Sequence, residues 1–372
     1  MRISKRSARI APIGQTLLPS SCMNTDQIHQ TLRSLLNGTP LDEPNAEQIF
    51  LALLEGKLDE PQIGSLLSLI QTMPPNAATL TGATRAMRAH VEKVEYTCAD
   101  GEVLIDTCGT GGAPKSFNVS TAAAIVAASV KPTEGSAVSR IVVAKHGNRS
   151  RTGRGSAEVL ETLGVKVDAS TDVQAQCLKE AGVCFCFAIH HHPAMKHAMG
   201  PRRALGFPTI FNALGPLTNP AGADRQLIGV YDNDLVEPMA STLASLGAVR
   251  AMVVHAFDGL DELTTTAPTR VVHVRGSALK EETIDAIDLG LARSTLDQLQ
   301  ASSVEHSAEI ITEIFAGRPS PYADMVILTT AGALLVADAC NGFAEGIELA
   351  RAAIEGGHAN TTLDRLIEVS QE

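Results

Sequence analysis

The sequence predicts an α/β fold: a small helical domain plus a large α/β domain with a central, largely parallel sheet. Three observations carry this. Residues 24–94 show only helical spacing of apolar side chains. After Tyr96, short β-rich runs alternate with helical ones, the order that builds parallel strands joined by crossover helices. Roughly the last 65 residues read as helices again.

The helical part justifies itself segment by segment. Ile28, Leu32, Leu35 and Leu36 recur at 3.6-residue spacing, as do Ile49, Phe50, Leu53 and Leu54, then Ile63, Leu66, Leu67 and Ile70. Asp59-Glu60-Pro61-Gln62 has the form of a capping box with an early proline. "TMPPN" closes one helix and opens the next. In the second part, "EVLID", "RIVVAK", "VKV", "VCFCFAI", "RQLIGV" and "RAMVVHA" read as strands. "STAAAIVAAS", "SAEVLETLG", "VQAQCLKEAG" and "VEPMASTLASLG" read as the helices between them, and "TRVVHVRG" is an extra strand. Residues 193–220 are rich in Pro, Gly and Arg, lack strands, and are expected to pack back on the helical unit. The expected domains are therefore 24–95, completed by about 193–220, and 96–192 with 221–372.

Composition narrows the function. The 372 residues suffice for a sizeable core and two domains. Apolar residues make up 44%, while aromatics make up only 3% and Trp is absent, so a base-stacking surface is not expected. The net charge of −11 disfavours nucleic acid as a partner. No apolar run approaches the ~20 residues that span a bilayer. Seven cysteines without a CxxC pair suit reduced thiols in a cytoplasmic protein and no zinc site. Residues 1–22 carry Arg2, Lys5, Arg6 and Arg9 and no acid. They are expected to stay outside the folded domains, as a leader or as an extension ahead of a start at Met23.

Four constellations carry chemistry. The first is "DTCGTGGAPKSFNVST": Gly109, Gly111 and Gly112 directly follow a strand over 103–107. Such glycines let the backbone approach a ligand, and a helix starting near Asn118 to Thr121 offers free N–H groups to an anion. Neither a Walker loop nor GxGxxG is present. The second, "AKHGNRSRTGRGSAE", carries Lys145, His146, Arg149, Arg151 and Arg154 with no acid before Glu158. Gathered together, these charges need an anion. The third is "DGLDEL" after a strand over 250–256, where Asp261 and Glu262 suit Mg2+ held jointly with phosphate oxygens. The fourth is "HHHPAMKHAMGPRRALG". Its arginines, Arg202 and Arg203, match a carboxylate's two oxygens.

Together these stretches resemble the anthranilate phosphoribosyltransferase family. "CGTGG", "FNVST", "AKHGNRS", "GSAEVLETLG", "HHPAMK", "GPLTNPA" and "DGLDE" stand in that family's order over about residues 24–370. The resemblance implies two domains joined by hinges, a homodimer built through the helical domain, Mg2+, and 5-phosphoribosyl 1-diphosphate and anthranilate as substrates. It implies that Gly109, Thr110, Gly111 and Gly112 line diphosphate and ribose, and that Asn118, Ser120 and Thr121 hold the diphosphate. By the same resemblance Lys145 reaches the phosphates, and Thr152 with Gly153 closes over them. Ser120, Asp261 and Glu262 fall at the metal, and Gly109, His146, Asn148, His192 and Arg202 at anthranilate, with Arg202 on its carboxylate. No residue is assigned as general base.

The sequence departs from the family pattern in places. Ala113 stands where the glycine loop usually ends in Asp, with Lys115 nearby. Pro208-Thr209 precedes "IFN" in place of the usual "RT", "KPTEGSAVSR" at 131–140 has the look of an insertion, and the loop "SRTGRGS" is one residue short. Two other readings stay open: a nucleoside phosphorylase-like enzyme, and a non-catalytic nucleic-acid-binding paralogue of the same fold.

Overall fold

A computed structural model describes residues 23–114, 116–150 and 153–372. The expected leader, Lys115 and Thr152 therefore lie outside the described residues.

Four helices open the chain: α1 (Thr25–Leu36), α2 (Glu43–Leu54), α3 (Glu60–Gln71) and α4 (Ala77–Ala89). Each start has a local cause. Asn24, Asp42, Asp59 and Asn76 accept from backbone N–H groups of the first turn, and Asp59 with Gln62 forms the full capping box. Gly82 lets α4 lie directly on α2, since a Cβ there would come within 2.2 Å of the Glu43 carbonyl oxygen.

The second part is built on one seven-stranded sheet in the order β3-β2-β1-β4-β5-β6-β7. Its strands are β1 (Glu102–Gly109), β2 (Arg140–Gly147), β3 (Val183–Phe187), β4 (Arg225–Gly229), β5 (Arg250–Ala256), β6 (Thr269–Arg275) and β7 (Ala278–Ile284). The first five run parallel; β6 and β7 are antiparallel. Connecting helices are α5 (Val119–Ser129), α6 (Ser156–Thr162), α7 (Thr171–Glu180), α8 (Ala188–His191), α9 (Lys196–Leu205), α10 (Ile210–Leu214) and α11 (Val236–Ser245). The chain ends with α12 (Val304–Phe315), α13 (Pro321–Val336), α14 (Phe343–Glu355) and α15 (His358–Ser370). Helices α5 and α13 are buried on nearly every face, α13 packing against both α5 and α14.

Three details differ from expectation. "VKV" at 165–167 forms no strand: Val165 and Val167 are buried in the core, but the segment runs as a turn between α6 and α7. Edge strand β7 was not foreseen because "ALKEETI" is mostly exposed and charged, which is how an edge strand avoids further pairing. The strand read over "VCFCFAI" stops at Phe187, and its last two residues, Ala188 and Ile189, open the single helical turn of α8, which carries His190 and His191.

Residues 193–220 do pack on the helical part, α9 against α3 and α2, and α10 against α4 and α3. Phe50, with no exposed surface, meets Phe211 edge-on at 5.7 Å. Burying such a ring contributes about 1.5–3 kcal/mol. The connections between the two parts are tied to one another. Glu92 N donates to the His191 carbonyl at 2.9 Å, His191 Nδ1 lies 2.6 Å from the Glu92 carbonyl, and Val94 N donates to the Pro220 carbonyl at 3.2 Å.

Candidate active site

The carboxyl ends of β1, β2, β4 and β5, parallel neighbours, lie along one edge of the sheet. At the end of β1, Gly109 has no room for a side chain: a Cβ there would fall 2.8 Å from Asp261 Oδ2. Gly111 and Gly112 have φ of 65° and 104°, which L side chains rarely adopt, and both are exposed. Thr110 is buried; its Oγ1 accepts the Tyr231 N–H at 3.1 Å, which pins the turn to the end of β4.

Asn118 caps the start of α5. Its Oδ1 accepts from Ser307 Oγ at 2.9 Å, so the α12 segment holds this side chain in place. Ser120 is partly exposed beside it. The Thr121 hydroxyl is buried without a partner, an arrangement that costs about 1–3 kcal/mol and leaves a donor at the helix start.

From β2, Lys145 crosses to this helix. Its Nζ donates to the Thr107 carbonyl at 2.8 Å and to Ser120 Oγ at 3.2 Å, and the residue is only 4% exposed. The loop after β5 brings Asp261 and Glu262, both partly buried. Burial raises the pKa of Asp261, against backbone N–H groups of its own and of Gly111. Burial and then the charge of Asp261 raise that of Glu262 further, with Lys145 pulling the other way. Among the described residues neither acid has an ion-pair partner within 4 Å. Two crowded carboxylates against one lysine fit a divalent cation, with Asp261, Glu262 and Ser120 as the available oxygens.

The second pocket wall comes from β2, α8 and α9. His146 is buried at the end of β2. Its backbone N–H donates to Asp106 Oδ1 at 3.1 Å and its Nδ1 sits 3.0 Å from the Gly215 carbonyl. That carbonyl only accepts, so Nδ1 carries the proton and Nε2 presents a lone pair, buried and unpartnered. His192 stacks obliquely at 5.3 Å between ring centres. Burial, then His191, pushes its pKa down to about 4, and burial, then His192, lowers that of His146. Both rings are neutral at pH 7. Asn148 is exposed just beyond β2. Arg202 on α9 stacks over Phe211 at 5.1 Å and is half-buried. Burial lowers its pKa, and among the described residues no carboxylate pairs with it. A buried guanidinium in that position favours an anionic ligand.

The basic run after β2 does not gather as its sequence suggests. Arg149 forms a two-pronged pair with Glu161 at 2.8 and 2.5 Å, and Arg154 donates to the Ala301 carbonyl. Arg151 lies outside the described residues; of the described cations of this run, Lys145 is the one held against Thr107 and Ser120. Gly153, with φ of 70°, is exposed on the same loop. Sequence reasoning passed over Asp106 and Asn219. Both are structural: Asp106 holds His146, and Asn219 Nδ2 donates to the Ala144 carbonyl at 2.8 Å. An acid inside a strand of buried residues was the available signal for Asp106.

Two family models match the two parts of the chain. Residues 101–360 match the glycosyl transferase family α/β domain, and residues 29–91 match that family's helical bundle domain. The anthranilate phosphoribosyltransferase of Thioalkalivibrio sulfidiphilus is 42% identical over 342 residues, covering 91% of this chain and 98% of its own. The chain belongs to the anthranilate phosphoribosyltransferase family.

The Halalkalibacterium halodurans member is 40% identical over 92% of this chain and 98% of its own. The crystal structure of the Thermus thermophilus member superposes with a TM-score of 0.83 at 34% identity, covering 92% of this chain and 99% of its own. A Saccharomyces cerevisiae structure, described as a complex with 5-phosphoribosyl 1-diphosphate and Mg, shares the fold with a TM-score of 0.83. It is 24% identical and covers 94% of this chain and 99% of its own.

Proposed function

We propose that this chain transfers the 5-phosphoribosyl group of 5-phosphoribosyl 1-diphosphate to the amine of anthranilate and releases diphosphate, a step of tryptophan biosynthesis. One observation carries the reading: Gly109, Ser120, Lys145, Asp261 and Glu262, from four separate segments, come together beyond the carboxyl ends of the strands. Family membership points the same way.

In the reaction the anthranilate nitrogen forms a bond to C1 of the ribose as the C1–O bond to diphosphate breaks. The nitrogen then sheds one proton. The aromatic amine is neutral at pH 7, so alignment and charge neutralisation supply the rate. The turn Gly109 to Gly112 offers close backbone approach to the sugar and diphosphate. Asn118, Ser120 and Thr121 present the start of α5 to the diphosphate, Lys145 adds a fixed positive charge, and Gly153 flanks it; Thr152, the other residue expected there, lies outside the described residues. Asp261, Glu262 and Ser120 hold Mg2+, which when bound neutralises the departing diphosphate. His146, Asn148 and His192 wall the anthranilate site beside Gly109. Arg202, lacking a carboxylate partner, takes the anthranilate carboxylate.

Residues 24–95 with 193–220 form one body and 96–192 with 221–372 the other, closing on the substrates. The exposed Leu36 (71%) and Met199 (46%) on α1 and α9 support a homodimer through the helical part, which light scattering tests. Free cysteines among the described residues suit a cytoplasmic protein, and no described helix is long and apolar enough to cross a membrane.

The decisive assay follows the fluorescence of anthranilate. Its loss on adding 5-phosphoribosyl 1-diphosphate and Mg2+ is the expected result. Persistent fluorescence with release of free base from a nucleoside and phosphate would instead make the protein a phosphorylase.

A further inference from the structure

A cavity of about 360 Å3 lies between the helical part and the α/β part. It sits where the α1–α2 and α3–α4 connections face α10 and the turn after β4. Leu41, Ile70, Leu80 and Ala213 form apolar walls, and Thr209 and Tyr231 also line it, Tyr231 lying against the glycine turn as well. Its volume is within the range of small-molecule pockets. None of the residues assigned above to substrates or metal lines it.

The polar chemistry of the cavity is one-sided. Asp232 and Asp234 line it, and no Lys, Arg or His is found among its described lining residues. Asp232 Oδ1 accepts the Asp234 N–H at 3.0 Å, leaving its second oxygen for another donor. Thr209 is 4% exposed, and its hydroxyl oxygen is buried without a partner. Anions such as the two substrates would meet carboxylates here and no cation.

The cavity is wired to the glycine turn. Tyr231 N donates to Thr110 Oγ1 at 3.1 Å, and the Tyr231 ring lies 3.3 Å from where a Gly112 Cβ would be. Asn212, another wall residue, reaches the Thr110 carbonyl from Nδ2 at 3.5 Å. A ligand pressing on Tyr231 therefore presses on the turn.

We propose that this cavity is a second small-molecule site, selective for a primary amine on a single apolar ring, and coupled through Tyr231 to the glycine turn. The ring fills the walls formed by Leu41, Ile70 and Leu80, and the ammonium meets the free oxygen of Asp232. The coupling, unlike the site itself, rests on the phosphoribosyl-transfer reading.

The test uses tyramine and, as its anionic counterpart, 4-hydroxyphenylacetate, titrated calorimetrically into the full chain with no substrate present. Tyramine should bind and 4-hydroxyphenylacetate should not. Asp232→Asn, which keeps the Asp234 contact, should weaken tyramine at least tenfold. Asp234→Asn, at the second acid lining the cavity, should weaken it several-fold without lowering the melting temperature. No heat from tyramine, equal binding of both probes, or unchanged affinity in both variants overturns the site. These readings need no turnover, so they stand or fall independently of the transferase assay. Saturating tyramine should also change the KM for 5-phosphoribosyl 1-diphosphate several-fold, with the reciprocal change in tyramine affinity. Binding without that change overturns the coupling.

Discussion

Gly229 and Asp261 touch through their backbones: a Cβ added at Gly229 would lie 1.7 Å from the Asp261 carbonyl oxygen. The obstacle is main chain, so it does not swing aside. Gly229→Ala should push the acidic loop away from Gly109, raise the Mg2+ concentration needed for half-maximal rate, and cost about 1–3 kcal/mol of stability. Gly64→Ala is the control. It sits in α3 with open space where its Cβ would go, and should leave the melting temperature level or slightly raised. Thermal melts and Mg2+ titrations of the two variants check this.

Asp261→Asn combined with Glu262→Gln keeps shape and removes both charges. Mg2+-dependent turnover should vanish while the circular dichroism spectrum and melting temperature hold or rise, since two crowded carboxylates are relieved. Normal activity in the double variant would end the metal assignment.

Arg202→Ala removes the proposed charge-assisted bond to the anthranilate carboxylate, a type of bond worth about 1.5–3 kcal/mol. The KM for anthranilate should rise roughly 10- to 100-fold, with that for 5-phosphoribosyl 1-diphosphate little altered. An unchanged anthranilate KM counts against the role. Arg202→Lys should recover little, because the ring stacking on Phe211 and the planar fork are both lost.

Lys145→Met removes the charge that bridges Thr107 and Ser120. The expected outcome is a KM for 5-phosphoribosyl 1-diphosphate at least tenfold higher, together with lower stability because the Thr107 carbonyl loses its donor. Steady-state kinetics with the diphosphate substrate varied decide it.

Acid should destabilise the protein in a defined window. The pKa of His192 is lowered by burial from 6.5 to about 4, and that of His146 is lowered too. In this window the unfolded chain binds the extra protons. Stability from these rings is complete above about pH 6.5 and is lost as pH falls through about 4, a loss on the order of 3 kcal/mol for His192 alone. His192→Gln should flatten this part of the profile in urea melts taken from pH 7 to pH 4. An unaltered slope would show that the ring is not held neutral.

Much of the fold was legible because its signals are local. Caps at Asp59 and Asn76, the glycine turn after β1 and the alternation of strands and helices need no knowledge of distant neighbours. The site was legible where short motifs fall at strand ends, as with Lys145 and Asp261. What escaped depends on contacts remote in sequence. The destination of Arg149 is set by Glu161 on the following helix, and that of Arg154 by a carbonyl 147 residues away. β7 pairs only because β6 is already in place beside it. The buried Val165 and Val167 alternate like a strand but find no neighbouring ladder.

The reciprocal bonds between Glu92 and His191 tie the first connector to the residue next to His192. So fastened, the connector cannot shift without carrying the His191 backbone with it. On the proposed reading, in which the two bodies close on the substrates, a rotation that pulled on Glu92 would reach the proposed anthranilate wall at His192 one peptide later. Opening and release of product would then be one mechanical event, with the connector as its lever.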